Sequence, residues 1–178
     1  ERLGERSKGK VKGKDKGKRT ISHSSIYCDI GCEHKDGKNV AMLTIGDPSV
    51  YSTYMYIHKR VMQAGFTAVM ISGVPSFCAA AARLGISLGE MMDEIHIIPA
   101  SYDVRDTVGY GGTCVYMKSG KKLAELIEVL RTGDAIRKKK MTVYGVTNCG
   151  MESERVYRGL DELTEAKGYL TIVIVKYS

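Results

Sequence analysis

The sequence predicts an α/β fold in which parallel strands alternate with crossover helices, and three observations carry this prediction. First, the apolar run VAMLTI at residues 40–45 stops abruptly at the turn residues GDP and is followed by a helical pattern. Second, the same order of strand, turn and helix returns in TAVMIS, GVP and SFCAAAARLG. Third, YLTIVIVK near the end of the chain is apolar almost throughout, which is typical of a strand inside a sheet.

The first half of the chain predicts two strands and two helices. We expect VAMLTI to be a buried parallel strand and TAVMIS, residues 67–72, to be a second short strand. Apolar side chains at helical spacing predict a helix over residues 50–64, with Gly65 as its natural C-terminal stop. The next helix, SFCAAAARL, carries alanines that permit close approach to a sheet, and Gly85 ends it.

The strand and helix pattern restarts around Glu90–Glu94, where we place a domain boundary. Beyond it, the sequence predicts the strands EIHIIPA and TCVYMK, the helix KKLAELIEVLR, and the strands MTVYGVT and YLTIVIVK. Segment SERVYRGLDEL is expected to link the last two strands. Because YLTIVIVK is apolar on both faces, we expect it to lie between other strands.

The loop Gly46-Asp47-Pro48 follows the first apolar run and is the place to seek a bound cofactor. In open α/β sheets, ligands bind outside the carboxyl ends of the strands. Glycine lets a ligand approach the backbone, and an aspartate accepts hydrogen bonds from ligand hydroxyls or amines. The alternative is that Asp47 caps the following helix, with Pro48 at its first position.

The longer string GDPSVYSTYMYIHKRVMQAG closely resembles the core of the precorrin-2 C(20)-methyltransferases, including those that act on cobalt-factor II, within the tetrapyrrole methylase family. The resemblance continues in order through ISGVPSFCAAAARLGISLGE, EIHIIPASYDV, MKSGKKLAEL, NCGMESERVYRGLDEL and YLTIVIVK. It extends from Asn39 to Lys176. Relatives open with a strand and a glycine-rich GxGPGD-type loop, and no such motif occurs before Lys38.

The resemblance implies a tetrapyrrole-methylase-like two-domain α/β fold with the first domain truncated. The expected organisation is a basic, disordered tail and irregular segment over residues 1–38, the remaining half of the N-terminal domain over 39–92, and the C-terminal domain over 93–178. A partial gene, a frameshift and a real divergence all remain open as origins of the N-terminus. Because one wall of the cofactor pocket is missing, we expect little or no methyltransferase activity from the chain as written.

The function that the resemblance implies is methylation of carbon 20 of precorrin-2 or cobalt-factor II in cobalamin (vitamin B12) biosynthesis. The methyl donor would be S-adenosylmethionine, with cofactor and substrate in the cleft between two domains, and a homodimer is implied. The alternatives are a truncated inactive homologue, or a methylase of the same fold that acts on another tetrapyrrole position or on an RNA ribose.

Carried over residue by residue, the resemblance implies a cofactor site without a metal and assigns no catalytic residue. The expected cofactor contacts are Ile45, Gly46, Asp47, Val50, Pro75, Ser76, Met117 and Cys149, the last within Asn148-Cys149-Gly150. For Val50 and Met117 simple core packing is the alternative, and for Ser76 it is helix capping.

The residues Tyr51, Ser52, Thr53 and Tyr54 are the candidates for substrate binding. Aromatic faces and hydroxyl tips suit a flat tetrapyrrole macrocycle, although packing in the core is the alternative for each tyrosine. Positive side chains should rim the cleft because the substrate is a polycarboxylate. The candidates are Arg83, Lys118, Lys121 and Lys122.

Composition excludes several other classes of function. Residues 1–19 hold nine of the 27 Lys/Arg residues and three of the 20 acids, so the net charge of +7 resides mainly in a Lys/Gly tail. No nucleic-acid motif accompanies this tail, and we expect no specific nucleic-acid partner. No apolar run suits a membrane span or a signal peptide, and five scattered cysteines suit a reducing cytoplasm. The spacing of His23, Cys28, Cys32 and His34 matches no common zinc signature, so free thiols are expected.

Overall fold

The computed structural model describes residues 39–136, 140–167 and 169–177. The predicted tail, the proposed thiols at Cys28 and Cys32, and the histidines beside them lie outside the described residues. The described elements, in chain order, are helices α1 (Tyr54–Gln63) and α2 (Ser76–Leu84), strands β1 (Ile95–Pro99) and β2 (Thr113–Met117), helix α3 (Leu123–Ile136), strands β3 (Met141–Thr147) and β4 (Arg155–Arg158), the short helix α4 (Leu160–Leu163), and strand β5 (Thr171–Tyr177). Two 3-10 turns, Arg105–Gly109 and Gly120–Lys122, precede β2 and α3 respectively.

The chain divides into two compact units. One comprises Glu1–Met42 with Tyr56–Ala68, and the other comprises Leu43–Met55 with Val69–Ser178. The described part of the first unit contains most of α1, in which Ile57 and Val61 are buried. The second unit holds the sheet and every residue predicted to bind cofactor or substrate. The predicted domain boundary near Glu90–Glu94 stays a prediction.

A five-stranded sheet in the order β1-β2-β5-β3-β4 forms the centre of the second unit. Strand β5 is its middle strand, so the prediction that YLTIVIVK lies inside the sheet is confirmed. All residues of β2 and the first five of β5 are buried because both faces of the sheet are covered. The α/β class predicted from the sequence is also confirmed.

The sheet is mixed, so the parallel arrangement predicted from the strand, turn and helix pattern holds only for one pair of strands. Only β1 and β2 pair in parallel, whereas β5 pairs antiparallel with both β2 and β3, and β4 pairs antiparallel with β3. Strand β4 lies in the segment expected to be a mere link. The connection from β3 to β4 is too short for a crossover helix, so the two strands can only run in opposite directions.

Two apolar clusters cover the two faces of this sheet. The first, here called the α3 face, joins buried residues of β2, β3 and β5 to Leu126 and Leu130 of α3 and to Leu163 of α4. The second, the α2 face, joins Val115, Val146 and Ile174 to the helix α2. Ala80 and Ala81 of α2 are buried there, as expected of small side chains that allow a helix to approach a sheet closely.

Both strands predicted before residue 75 are absent, which corrects the sequence analysis. Residues 40–45 and 67–72 form no strand, and side chains expected in the core are exposed. Leu43 is 91% exposed and Ile71 is 84% exposed. An apolar run becomes a strand only when a neighbouring strand takes its backbone hydrogen bonds, and none within the described residues pairs with these runs.

The two helices predicted in this region are present with corrected bounds. Helix α1 begins at Tyr54 rather than at residue 50, because residues 47–50 form a turn closed by the Val50 N–H on the Asp47 carbonyl oxygen at 3.3 Å. Helix α2 ends as predicted, at Gly85 in the left-handed conformation with φ 67°. No helix in the described part of the chain combines the length and the apolar character needed to cross a membrane.

Candidate functional site

Two loops that the sequence separates by about 25 residues lie against each other at the start of α2. We call residues 46–49 and 73–76 the loop junction. Gly46 has φ +80°, and a Cβ built on it would lie 3.8 Å from the Ser76 nitrogen. Gly73 faces the carbonyl oxygen of Gly46 so closely that any side chain at residue 73 would collide with it. The junction therefore depends on glycine at both positions.

Asp47 holds the loop junction together. Its Oδ1 accepts hydrogen bonds from the Ser49 backbone N–H at 2.8 Å and from the Ser49 hydroxyl at 2.5 Å, and its Oδ2 accepts one from the Gly73 N–H at 3.0 Å. The Ser49 hydroxyl contributes most to lowering the pKa of Asp47, followed by the N–H groups of Ser49 and Gly73. The alternative of a helix cap is wrong, because α1 begins seven residues later.

Ser76 also does not cap a helix. The N-cap of α2 is Pro75, whose extended backbone has ψ 143°, and no side chain caps this helix. Ser76 occupies the first helical position and is half-buried beside Gly46. Its expected contact with a cofactor stays a prediction, as does that of Pro75.

The sheet brings three further predicted residues to the same face. Val50, Met117 and Cys149 all belong to or pack against the α2-face cluster, together with Phe77 of α2. Met117 ends β2 and Cys149 follows the end of β3, and these two strands point the same way because both run antiparallel to β5. Core packing describes the surroundings of Val50 and Met117 in this structure, and their contact with a cofactor stays a prediction. Ile45, in contrast, is 78% exposed.

A bracket between Tyr51 and Lys118 ties the first loop to this sheet edge. The Lys118 Nζ donates to the Tyr51 carbonyl oxygen at 2.7 Å and lies 5.7 Å from the centre of the Tyr51 ring. The Tyr51 hydroxyl donates to the Ile97 carbonyl oxygen at 3.3 Å. Both bracket residues have positive φ, 49° at Tyr51 and 56° at Lys118, a conformation that costs roughly 1 kcal/mol or more for a residue with a side chain.

The other residues predicted to bind substrate have mixed surroundings. The Ser52 hydroxyl accepts the Tyr54 N–H at 3.2 Å and lies 3.3 Å from the Thr44 hydroxyl, so Ser52 supports the start of α1. Thr53 is exposed, and Tyr54 is half-buried. Contact with a substrate stays a prediction for all three.

Arg83 is engaged by a carboxylate of the chain itself. Its Nε hydrogen-bonds to Glu154 Oε1, while Glu154 Oε2 accepts the Gly150 N–H at 2.7 Å. The hydrogen bond from Arg83 is the main cause of the lowered pKa of Glu154, and burial raises the pKa of the neighbouring Cys149 thiol. The pair fixes the Asn148-Cys149-Gly150 loop to the end of α2. Among the other predicted cations, Lys122 lies 3.7 Å from Glu125 and Lys121 is exposed.

Three residues of these contacts, Ser49, Gly73 and Glu154, are not predicted from the sequence. Gly73 was visible only as part of a turn signal, because nothing in the sequence shows that its neighbour is Gly46. Ser49 lies two residues after an aspartate, which is the spacing of a local side-chain turn and was available as a signal. Glu154 offered no local signal, since its partner Arg83 lies 71 residues away.

Comparison with known proteins gives relatives whose names describe precorrin methyltransferases. A "Probable cobalt-precorrin-2 C(20)-methyltransferase" of Methanocaldococcus jannaschii is 32% identical over 145 residues, which is 80% of this chain and 60% of that protein. A "Precorrin-4 C(11)-methyltransferase" of Rhodococcus erythropolis is 30% identical over 105 residues, covering 53% of this chain and 42% of that one. The chain thus spans about three fifths of the first relative and less of the second.

Solved structures share the fold. The cobalt precorrin-4 methyltransferase CbiF superposes with a TM-score of 0.75 at 16% identity, over 89% of this chain and 72% of that one. The uroporphyrin-III C-methyl transferase of Thermus thermophilus, in complex with S-adenyl homocysteine, gives 0.66 at 17% identity over 86% and 72% of the chains. The family "Tetrapyrrole (Corrin/Porphyrin) Methylases" matches residues 4–164. This chain therefore belongs to the tetrapyrrole methylase family.

Proposed function

We propose that this chain is part of an S-adenosylmethionine-dependent enzyme that methylates a carbon of a tetrapyrrole during cobalamin biosynthesis. The observation that carries the proposal is the convergence of the predicted cofactor residues on one side of the sheet. The loop junction of residues 46–49 and 73–76 leads into α2, and α2 shares its apolar cluster with Val50, Met117 and Cys149. Four separate parts of the sequence thus lie around α2, namely residues 46–50, residues 73–76, Met117 and Cys149.

The chemistry of these residues fits a sulfonium donor. S-adenosylmethionine supplies a methyl group on a positively charged sulfur, and transfer leaves the electron pair of the broken bond on that sulfur. Because this charge disappears during transfer, neutral groups suit the surroundings of the sulfur better than a free carboxylate. Asp47 keeps its negative charge, but its carboxylate is engaged by Ser49 and Gly73 within the loop junction. Apolar side chains such as Met117 and Val50 exclude water.

For the position that is methylated, we propose carbon 20 of precorrin-2 or of cobalt-factor II. Support comes from the sequence string at residues 46–65 and from the name of the relative in Methanocaldococcus jannaschii. A second candidate is carbon 11 of precorrin-4, which the relative in Rhodococcus erythropolis favours at nearly the same identity. A homodimer remains part of the proposal through the family resemblance alone.

The test is a pair of measurements on the full chain. Isothermal titration calorimetry with S-adenosylhomocysteine measures binding of the cofactor product. Incubation with isotopically labelled S-adenosylmethionine and, separately, precorrin-2, cobalt-factor II or precorrin-4 measures transfer of one methyl group by mass spectrometry. Methylation of only the first two would support carbon 20, whereas methylation of precorrin-4 alone would favour the second candidate.

The test variant is Gly73→Ala, which disturbs the loop junction. Its control is Gly111→Ala, at a position with nothing within 4 Å, which leaves the junction intact. We expect Gly73→Ala alone to lose affinity for S-adenosylhomocysteine. Absence of binding by the folded wild-type chain would contradict a complete cofactor site in this chain.

A further inference from the structure

A cavity lies at the carboxyl end of β3 and is not used in the proposed methyl transfer. It has a volume of about 600 Å³, which is within the range of small-molecule sites. Its lining includes Thr147, Ser153, Arg155, Tyr157, Glu165 and Lys167. These residues come from two strands, from the β3–β4 connection and from the segment after α4.

The cavity opens on the opposite face of the sheet from the residues predicted to bind the cofactor. Successive residues of a strand point to opposite faces. Val146 belongs to the α2-face cluster, so its neighbour Thr147 points to the α3 face, as does Arg155, which pairs with Thr147 across the strands. Tyr157, two residues further along β4, is part of the α3-face cluster. The cavity is therefore separated by the sheet from Val50, Met117 and Cys149.

Hydroxyl groups lie at the floor of the cavity. Thr147 lines it, and the buried Thr147 hydroxyl lies 3.1 Å from the hydroxyl of Thr171. The Ser153 hydroxyl accepts a hydrogen bond from the Asn148 side-chain amide at 3.0 Å, which leaves its own hydrogen available.

The charges around the floor are unbalanced. Neither Arg155 nor Lys167 forms an ion pair with any residue in the described part of the chain, and Glu165 is the one carboxylate in the lining. A guanidinium beside hydroxyl donors is the usual arrangement for binding a carboxylate or a phosphate. We propose that this cavity binds a small oxyanion, held by Arg155 and Lys167 and oriented by the Ser153 hydroxyl. The ligand is a molecule separate from the tetrapyrrole, because the cavity faces away from the predicted cofactor residues.

The strand β4 supplies a matched control for this proposal. Arg155 and Arg158 are both exposed arginines on the same short strand, yet Arg158 is on the α2-face side, 5.9 Å from the Tyr144 ring. Titration of the full chain with succinate, and separately with inorganic phosphate, followed by NMR or calorimetry, measures binding directly. We expect Arg155→Met to weaken binding by about tenfold or more, and Arg158→Met to change it less than about twofold.

A second pair of variants tests the sign of the charge effect. Glu165→Gln removes the carboxylate from the cavity and should strengthen binding of either anion. Glu90 does not line the cavity, so Glu90→Gln should leave the affinity for both anions unchanged. Equal losses in the two arginine variants, or no binding of either probe by the folded wild-type chain, would overturn the proposal. The affinity for S-adenosylhomocysteine should be unchanged in Arg155→Met, so this result is independent of the proposed function.

Discussion

Strand β5 and the segment TAVMIS have similar apolar sequences, but only β5 is a buried strand. In β5, the residues Ile172 to Val175 are buried between β2 and β3, with helices on both faces of the sheet. In TAVMIS, Val69 is 78% exposed and the segment forms no strand. An apolar, β-branched sequence is therefore not sufficient for a buried strand. The segment forms such a strand only where neighbouring strands pair with its backbone and other elements cover its two faces.

The largest effect should come from placing a charge at equivalent isoleucines of the two regions. Ile174→Asp buries an unpaired carboxylate in the middle strand and should cost about 4 kcal/mol or more, enough to unfold the second unit. Ile71→Asp, at an exposed position, should change the free energy of unfolding by less than about 1 kcal/mol. Circular dichroism during thermal or urea unfolding measures both. Comparable destabilisation by the two variants would show that residues 67–72 are buried in solution.

The same comparison explains which parts of the fold could be predicted from sequence. Helix α2, the glycine that ends it and the central position of β5 follow from local periodicity and composition, and the structure confirms them. The direction of strands and the absence of TAVMIS as a strand depend on which segments are neighbours, which no local pattern contains. The very short β4 was overlooked for the same reason, since its assignment rests on its pairing with β3.

The candidate site, like the fold, could be predicted from the sequence only in part. The sequence predicts Gly46, Asp47 and the GVPS turn as cofactor contacts from their residue types and from resemblance. It did not reveal that Asp47 accepts the Gly73 N–H, or that Arg83 is occupied by Glu154, because both contacts join positions far apart in the chain. Residue types therefore predict where a site lies, and long-range contacts determine the surroundings of each side chain there.

The next largest effect concerns the loop junction. Gly73→Ala places a methyl group against the Gly46 carbonyl, a backbone atom that cannot rotate away, and should destabilise the second unit by about 1–3 kcal/mol. Gly111→Ala adds the same methyl group where nothing lies within 4 Å and should stay within about 0.5 kcal/mol of wild type. Urea unfolding distinguishes the two variants. An unchanged midpoint for Gly73→Ala would mean that the two loops are not in contact in solution.

A smaller, pH-dependent effect should come from Asp47. Its pKa in the folded state lies below the ordinary value of 3.8, so its hydrogen bonds to Ser49 and Gly73 stabilise the fold fully above pH 3.8. That contribution is lost as the pH falls further, through the lowered pKa, because the carboxylate takes up a proton. Asp47→Ala should therefore melt at a lower temperature than wild type at pH 7, and the gap should narrow below pH 3.8.

Asp106→Ala is the control for this titration. Asp106 belongs to the 3-10 turn Arg105–Gly109, and no hydrogen bond joins its side chain to other described residues. The melting temperature of Asp106→Ala should follow that of wild type across the pH range. A gap between Asp47→Ala and wild type that stays constant from pH 7 to pH 2 would contradict the role of the ionised carboxylate.

The smallest effect should be a local one, at the Tyr51–Lys118 bracket. Lys118→Met keeps the length and apolar stem of the side chain but removes the charged donor to the Tyr51 carbonyl. A charge-assisted hydrogen bond at an exposed position contributes about 1 kcal/mol, which is too little to unfold the chain. It is enough to raise the amide hydrogen exchange rate of residues 50–53 roughly fivefold, because local opening responds exponentially to such differences.

Lys121→Met, three residues away and without that contact, should leave exchange in residues 50–53 unchanged. If both variants exchange there like wild type, the first loop is held at the sheet edge by Tyr51 and the loop junction rather than by the lysine. In that case the strained backbone at Tyr51 would depend on the hydrogen bond from the Tyr51 hydroxyl to Ile97. Tyr51→Phe, which removes that hydroxyl, would then raise the exchange rate of residues 50–53.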